Sequence, residues 1–154
     1  MRIRIQPQDF DVGAELAAMR QGQPGIGALV SFVGLVRDHG DSSPGPAVSA
    51  MELAHYPGMT EKALQAIVDE ARQRWSLIDT LVIHRVGPLP LGEQIVLVAV
   101  AAAHRGHAFA AAEFIMDYLK TRAPFWKKEQ TAEGSHWVDA KEGDDQAAAG
   151  WQAA

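Results

Sequence analysis

The hydrophobic residues of this chain recur with two periods, one typical of strands and one typical of helices. Residues 2–5 alternate polar and apolar side chains, which predicts an edge strand. Residues 27–37 are almost continuously apolar, which predicts a strand buried on both faces. An extended pattern returns at residues 48–56. Residues 81–86 and 94–103 predict two more strands, joined by a turn rich in Gly and Pro, that form either a hairpin or near neighbours in one sheet.

Two segments carry apolar residues at helical spacing. The first helix is predicted to begin at Thr60 as its N-cap and to continue to Trp75, and the second spans residues 106–122. The predicted packing faces are Leu64, Ile67, Val68, Ala71 and Trp75 in the first helix and Phe109, Ala112, Ile115, Met116 and Leu119 in the second. A last short strand is predicted at residues 136–139. Because hairpin-like strands mix with two helices without a repeat or linker, we expect a single α+β domain over residues 1–154.

The composition limits the compartment and the chemistry. With 154 residues and 47% hydrophobic side chains, the chain can bury a core of its own. It has no cysteine, which excludes disulfides, thiolate catalysis and cysteine-bound metals, so any sulfur it handles must come from a substrate or partner. The sequence begins without the apolar segment of a signal peptide, and no stretch approaches the ~20 apolar residues of a membrane span, which predicts a cytoplasmic protein.

Charge is distributed unevenly along the chain. The formal net charge of −5 argues against nucleic acid as a partner. Residues 104–128 are nevertheless basic, with five Lys or Arg against two acids, whereas a single lysine accompanies six acids from Glu129 onward. A local basic site on an acidic protein predicts a small anionic ligand rather than a polyanion.

The segment DYLKTRAPFWKKE, residues 117–129, interleaves lysines with a proline and two aromatic residues. Lys120 falls on the last turn of the second predicted helix, Pro124 ends that helix, and two lysines follow the aromatic pair. The aromatic residues predict a loop held against the protein with one or both lysines directed inward, where an amine can act as base, acid or nucleophile. The alternative is a helix C-terminus whose cations interact favourably with the dipole, followed by a basic surface loop.

His104 and Arg105 lie where a strand is predicted to end and a helix to begin. The exposed N–H groups of a helix start favour anions, and two donor side chains strengthen the prediction of a phosphate site, with ordinary polar capping as the alternative. Arg37, at the end of the apolar strand, is a second candidate anion clamp. His104 and His107 have the spacing of a helical metal pair, but no third ligand has matching spacing, so no metal is predicted.

Five motifs, in order and over most of the chain, resemble the large, catalytic subunit of molybdopterin synthase. They are FVGLVRDH (32–39), ELAHYPGMTEKAL (52–64), VIHRVGPLPLGE (82–93), AHRGHAF (103–109) and FIMDYLKTRAPFWKKE (114–129), the last long enough to be highly specific. The resemblance implies an α/β hammerhead fold with additional antiparallel β structure, and a homodimer that binds ubiquitin-like small subunits to form a heterotetramer. It also implies the reaction, in which the C-terminal Gly-Gly thiocarboxylate of the small subunit gives sulfur to cyclic pyranopterin monophosphate to form the dithiolene of molybdopterin.

The same resemblance implies site residues by position. Lys120 and Lys127 match the two catalytic lysines, which also take part in binding the substrate. Arg37, His104 and Arg105 match the cationic group that binds the substrate. The predicted substrate site is completed by four flanking residues: Leu35, Val36, Lys128 and Glu129. Neither a cofactor nor a metal is implied.

Two functions of other classes stay open on the residues alone. One is a non-catalytic module that binds a small anionic ligand or a protein C-terminal tail. The other is a phosphoester-processing enzyme that uses His104. Turnover with a thiocarboxylated partner would separate the first from a synthase, and metal dependence or phosphate release would support the second.

Overall fold

A computed structural model describes residues 2–38, 48–138 and 142–152, without the side chains of residues 142 and 143. Residues 39–47, whose Gly-, Pro- and Ser-rich sequence predicts a loop, lie outside the described residues. In chain order the elements are β1 (Arg2–Gln6), α1 (Val12–Arg20), β2 (Ala28–Leu35), β3 (Val48–His55), α2 (Met59–Arg74), β4 (Asp79–Arg85), β5 (Gly87–Pro90), β6 (Gln94–Ala102), α3 (Arg105–Arg122), β7 (Phe125–Thr131), β8 (Gly134–Val138) and α4 (Glu142–Gly150).

The first sheet has the strand order β1–β4–β6–β2, with β1 parallel to β4 and the other pairs antiparallel. Side chains along β6 alternate between two cores. Val98 and Val100 belong to the core with α2 and α3, whereas Leu97 and Ala99 belong to the core with α1. Helices therefore cover both faces of the central strands, which explains their continuous apolar sequences. The predicted edge strand β1 and the predicted pairing of β4 with β6 are confirmed.

The prediction that the strand at residues 27–37 is buried on both faces was wrong. This segment forms β2, which pairs only with β6 at the edge of the sheet. Phe32 is 42% exposed and Leu35 is 53% exposed. An apolar run reports the chemistry of the side chains but not the number of neighbouring strands, so it cannot distinguish an edge strand from a central one.

The second sheet has the order β5–β3–β7–β8, and all of its neighbours are antiparallel. Gly87 follows β4 with φ +89°, a left-handed conformation that favours glycine, and there the chain leaves the first sheet for the second. The segment predicted as a plain turn between β4 and β6 thus contains β5. A small core of four buried side chains lies on this sheet: Val36, Met51, Leu53 and Leu89.

The N-cap of α2 is Gly58, so the prediction of Thr60 as the cap was wrong. Thr60 lies in the first turn and is fully buried. Its hydroxyl accepts a hydrogen bond from the Tyr56 N–H (3.1 Å) and donates one to the Pro124 carbonyl (3.1 Å). The hydroxyl that suggested a cap instead connects α2 to the residues that follow α3, a contact that local sequence cannot reveal.

The predicted helix packing faces are confirmed except at one position. The buried members are Leu64, Ile67, Val68 and Ala71 in α2 and Ala112, Ile115, Met116 and Leu119 in α3, and Trp75 packs against them. Phe109 is 62% exposed, so its assignment to the core was wrong. In that turn of α3 the packing stripe consists of small residues, Ala108, Ala111 and Ala112, and an alanine stripe is hard to recognise beside a large aromatic residue.

Two helices, α1 and α4, and a second strand besides β5 had not been predicted. Asp11 caps α1 by accepting a hydrogen bond from the Ala14 N–H (3.0 Å). The segment predicted as an aromatic-anchored loop after Pro124 is strand β7. The C-terminal acidic segment contains α4, and β8 confirms the short strand predicted at 136–139, whose last residue lies outside the described part of the chain. Among the described residues, no helix is both long and apolar enough to span a membrane.

Candidate functional site

A cavity of about 270 Å³ lies between the C-terminal end of α3 and the second sheet. This volume is close to the lower end of the range of small-molecule pockets, about 300 Å³. Its apolar wall includes Leu35, Met51, Leu53 and Ile95. Six charged or titratable side chains line it: Arg37, His84, Lys120, Lys127, Glu129 and Asp144. Because these come from five different parts of the chain, the cavity is a product of tertiary structure.

Lys120 is an exposed residue on the last turn of α3 and lines this cavity. The helix ends at Arg122, and the bond between Thr60 and the Pro124 carbonyl fixes the start of the next strand. Arg122, on the same helix end, instead pairs with Glu70 at 2.7 Å and lies over the Tyr118 ring. Of the two cations at this helix end, Lys120 therefore lines the cavity and Arg122 is paired with Glu70 instead.

The alternation of β7 separates its two lysines. Lys127 and Glu129 pair in register with Leu53 and Met51 of β3, and all four side chains line the cavity. Lys127 Nζ lies 3.9 Å from a Glu129 carboxylate oxygen, so a buried acid accompanies this cation. Lys128 points to the opposite face, where its amine lies 5.5 Å from the Trp137 ring centre. Lys128 is not among the residues that line the cavity.

The end of β2 brings Arg37 to the cavity. Val36 is buried, its N–H donates to the Glu93 carbonyl (2.9 Å), and its carbonyl accepts from the Gly92 N–H (2.8 Å). This two-sided attachment fixes the residues on either side of Val36, and both Leu35 and Arg37 line the cavity. Val36 itself therefore supports the wall rather than forming its surface.

His104 and Arg105 lie at the other end of α3 from Lys120 and do not line this cavity. Arg105 and Lys120 are the first and sixteenth residues of the helix, which at about 1.5 Å per residue places them roughly 22 Å apart along its axis. Both His104 and Arg105 are exposed, and the His104 side chain makes no capping hydrogen bond. Within one chain the predicted substrate-binding group is therefore divided between two places.

His84 is a cavity residue that the sequence did not reveal as functional. It lies on β4, is 4% exposed, and stacks on the Phe125 ring with centroids 3.8 Å apart. Burial lowers the pKa of the His84 imidazole to about 4; its hydrogen bond to the Arg85 carbonyl opposes this change, and the charges of Lys120 and His55 add to it. The only signal in the sequence was a polar residue inside the apolar strand LVIHRV.

Asp144 of α4 is the second cavity residue that had been missed. Its helix is held in place by Trp151, whose indole N–H donates to Asp117 at 2.7 Å. Trp151 also meets Trp75 and Phe114 edge to face, with centroids 5.6 and 5.5 Å apart. Tryptophan near the chain end was the available signal, since such a large apolar side chain usually anchors a segment.

The described residues contain no group of three or more His, Cys, Asp or Glu side chains placed to hold a metal ion. The aromatic residues that follow Pro124 do hold their segment against the protein, as predicted, because Phe125 stacks on His84 and Trp126 meets Tyr56 edge to face at 4.6 Å. The cavity thus offers three cationic side chains and two carboxylates beside a neutral imidazole. This arrangement can bind a small anion and present an amine to it.

These features define an α+β protein with a cavity whose three cationic side chains can bind a small anion. The chain belongs to the MoaE protein family, whose model matches residues 5–122. It is 67% identical over 149 residues to the molybdopterin synthase catalytic subunit of Ralstonia nicotianae, a match that covers 97% of this chain and 83% of that protein. The resemblance noted from the motifs is therefore confirmed.

Solved structures agree with this assignment. The molybdopterin biosynthesis MoaE protein from Burkholderia ambifaria matches with a TM-score of 0.81 and 58% identity over 98% of each chain. A protein–protein complex of subunits 1 and 2 of molybdopterin-converting factor from Helicobacter pylori matches with a TM-score of 0.70 over 91% of this chain and 90% of that chain. At 20% identity, the second match is a likeness of fold. The α+β class with additional antiparallel β structure is confirmed.

Proposed function

We propose that this chain is the catalytic subunit of a molybdopterin synthase, a sulfurtransferase that makes the dithiolene of molybdopterin from cyclic pyranopterin monophosphate. The observation that carries the proposal is the meeting of Lys120 and Lys127, from a helix and a strand, in one cavity that Arg37 also lines. The family and the name of the Ralstonia relative support the same activity. The absence of cysteine agrees with sulfur that arrives on a partner.

The proposed partner is a ubiquitin-like small subunit whose C-terminal Gly-Gly carries the thiocarboxylate. Two glycines suit a narrow passage because no side chain prevents close approach of the backbone. The thiocarboxylate sulfur attacks a side-chain carbon of the pterin while the bond from that carbon to a cyclic phosphate oxygen breaks. The phosphate ring opens, the phosphate keeps the electron pair, and a thioester joins the small subunit to the pterin. Water then cleaves the acyl–sulfur bond, leaving sulfur on the pterin and a carboxylate on the tail.

The two lysines are assigned to the reacting atoms. Lys120 acts as general acid and base or stabilises developing negative charge, and Lys127 is its partner. Arg37, His104 and Arg105 bind the cyclic phosphate, since fixed cationic donors suit phosphate oxygens. The remaining proposed contacts are through side chains or backbone of Leu35, Val36, Lys128 and Glu129. No cofactor or metal is required by this chemistry.

The proposed assembly is a homodimer of this chain with one small subunit bound to each copy. The roughly 22 Å between the ends of α3 supports it, because a second copy can bring His104 and Arg105 to the cavity of the first. Residues 1–154 are proposed to act as one domain, since α3 packs against both β6 and α4. A cytoplasmic location completes the proposal, because a reducing compartment protects the thiocarboxylate.

The decisive experiment is reconstitution of the complete reaction. The full chain, a thiocarboxylated small subunit and cyclic pyranopterin monophosphate are mixed, and the product is measured by mass spectrometry. We expect a product that carries two sulfur atoms, and none when the small subunit ends in an ordinary carboxylate. If the chain binds the small subunit but no sulfur moves, it is a binding module instead. If phosphate is released without sulfur transfer, the phosphoester-processing alternative is correct.

A variant of the partner tests the tail-binding part of the proposal. Extending the Gly-Gly tail by one bulky residue should abolish sulfur transfer, because the added side chain displaces the reacting atom from Lys120 and Lys127. Calorimetry at low salt should show that the unmodified small subunit binds. Absence of binding there would contradict the assignment of this partner.

A further inference from the structure

The neutral imidazole in the cavity wall has no place in the proposed chemistry so far. His84 lies on β4 and is 4% exposed, yet it lines the same cavity as Lys120 and Lys127. Its ring is stacked on Phe125, with the ring planes 16° apart and the centroids 3.8 Å apart. Because the buried ring is stacked on Phe125 and bonded to the Arg85 carbonyl, it has little freedom to turn.

One ring nitrogen of His84 has a fixed role. Nδ1 lies 2.8 Å from the Arg85 carbonyl oxygen, which can only accept a hydrogen bond, so Nδ1 carries the proton. The Arg85 side chain in turn donates to the Pro7 carbonyl (3.2 Å), the Gln94 carbonyl (2.9 Å) and Glu93 (3.1 Å). These bonds hold the Arg85 carbonyl in place, and that carbonyl favours the His84 tautomer with the proton on Nδ1. Nε2 of the neutral ring is therefore a hydrogen-bond acceptor.

The groups around His84 determine which donor can use that acceptor. The charged and titratable side chains that share the cavity or act on the ring are Arg37, His55, Lys120, Lys127, Glu129 and Asp144. Carboxylates cannot donate to Nε2 when ionised. His55 interacts with Glu61 at 3.6 Å, and Lys127 lies beside Glu129 at 3.9 Å. Lys120 is exposed on the last helical turn, and its charge already acts on the His84 ring.

We propose that His84 is a positioning residue for Lys120: its Nε2 accepts a hydrogen bond from the Lys120 ammonium and directs this amine toward the reacting atoms. Among the hydrogen bonds of the described residues none joins the two side chains. The proposal therefore includes an inward rotation of the Lys120 side chain, which makes this contact when an anion is in the cavity. A lysine amine sits on a flexible four-carbon stem, and a fixed acceptor restrains it. The role in catalysis rests on the proposed function, whereas the hydrogen bond does not.

The fixed tautomer gives this arrangement its physical advantage. An imidazolium at this place would repel Lys120, whereas a neutral ring with Nδ1–H already bonded presents only a lone pair. The low pKa of His84 keeps the ring neutral above about pH 5. The Phe125 stack and the Arg85 carbonyl hold the direction of that lone pair, so the position of the lysine amine follows from the sheet rather than from the mobile lysine stem.

The hydrogen bond is tested by NMR on the full chain with inorganic phosphate as the probe, measuring the ¹⁵N resonance of His84 Nε2. Accepting a hydrogen bond moves such a resonance to lower frequency. We expect phosphate to cause this movement in the wild-type chain and in the control Arg122→Met, whose residue pairs with Glu70 outside the cavity, but not in Lys120→Met. An identical resonance in wild type and Lys120→Met, with phosphate present, would overturn the proposal whether or not the chain is a synthase.

The positioning role is tested by two substitutions at His84 in the reconstituted reaction. His84→Phe keeps a ring against Phe125 but removes Nε2, and we expect kcat to fall about 100-fold with KM nearly unchanged. His84→Gln places an amide oxygen near the position of Nε2 and should recover at least about tenfold of that loss. If both variants fold and lose the same activity, or if His84→Phe is fully active while Lys120→Ala is inactive, His84 does not position the lysine.

Discussion

The two ends of α3 carry similar cationic chemistry in very different surroundings. At the C-terminal end, Lys120 lines a cavity with residues from β4, β7 and α4. At the N-terminal end, His104 and Arg105 are exposed and outside that cavity. Both ends were candidate anion sites in the sequence, but only one is assembled by the chain alone. The comparison indicates that a cationic residue contributes to a binding site only where other elements surround it. The exposed residues at the start of α3 need a second molecule to complete such a site.

The largest effect that this comparison predicts is at the C-terminal end of α3, where Lys120 lines the cavity. Lys120→Ala should lower kcat about 1,000-fold or more in the reconstituted reaction, since it removes a general acid and base. Lys120→Arg should fail as well, because a guanidinium stays protonated. Arg122→Ala is the matched control: this residue is on the same helix end but pairs with Glu70. Near-normal turnover of either Lys120 variant would contradict the assigned role.

A mixed dimer tests whether the two ends meet between chains. Differently tagged Lys120→Ala and Arg105→Ala chains are co-expressed, and the mixed dimer is isolated and assayed at substrate concentrations well below KM, where both parents are weak. If the residues act across the dimer, one site carries both changes and the other is wild type, so about half of normal activity returns. Activity that stays at the level of the parents would show that this pair does not act across the interface.

A smaller effect is predicted for the exposed end in the homodimer. Arg105→Ala should raise KM for the pterin phosphate about tenfold and lower kcat less, the result expected when binding is lost equally in ground state and transition state. Adding salt should weaken wild-type binding in the same direction. A fall in kcat with KM unchanged would instead place Arg105 at the bond-making step.

His84, buried in the cavity wall near Lys120, should make the free energy of unfolding depend on pH. Because folding lowers the pKa of His84 from 6.5 to about 4, the unfolded chain binds more protons between these values. The contribution is complete above pH 6.5 and is lost as the pH falls toward 4. Urea unfolding at pH 7.5 and 5 should therefore reveal about 2 kcal/mol of pH-dependent stability in the wild type.

His84→Phe supplies the reference for that measurement, because it cannot take up a proton. The variant should lack this part of the pH dependence while keeping the remainder, which arises from other titrating groups. Equal pH dependence in the two proteins would mean that the ring is not buried in its neutral form.

The smallest effect is predicted on the far face of β7. Lys128→Ala should lower turnover much less than Lys127→Ala, since the Lys128 side chain lies over Trp137 and away from the cavity. Its loss should cost about 0.5–1 kcal/mol of stability at most, the usual size of an exposed cation–π contact. Equal kinetic losses for the two lysines would show that the face of the strand does not decide which of them acts.

Much of the fold follows from local pattern. The helical spacing of Leu64, Ile67 and Val68 and the alternation within β6 predicted elements that the structure contains. Local pattern gave wrong predictions where the structure of a segment depends on its neighbours in space. The exposed edge β2, the buried Thr60 and the strand β7 depend on contacts with residues far away in the chain. Sequence spacing does not encode those contacts directly.

The sequence by itself determined the chemistry that is available: five lysines, no cysteine, a basic segment between His104 and Lys128, and motifs long enough to identify the family. Tertiary structure alone decided which of these groups meet. It separated Lys127 from Lys128 by the two faces of one strand, and it brought His84 and Asp144 to the cavity. It also left Arg105 about 22 Å from Lys120. The physical reason is that composition fixes the types of side chain and local periodicity fixes which segments form helices and strands. Strand register and helix length fix the distances between those side chains.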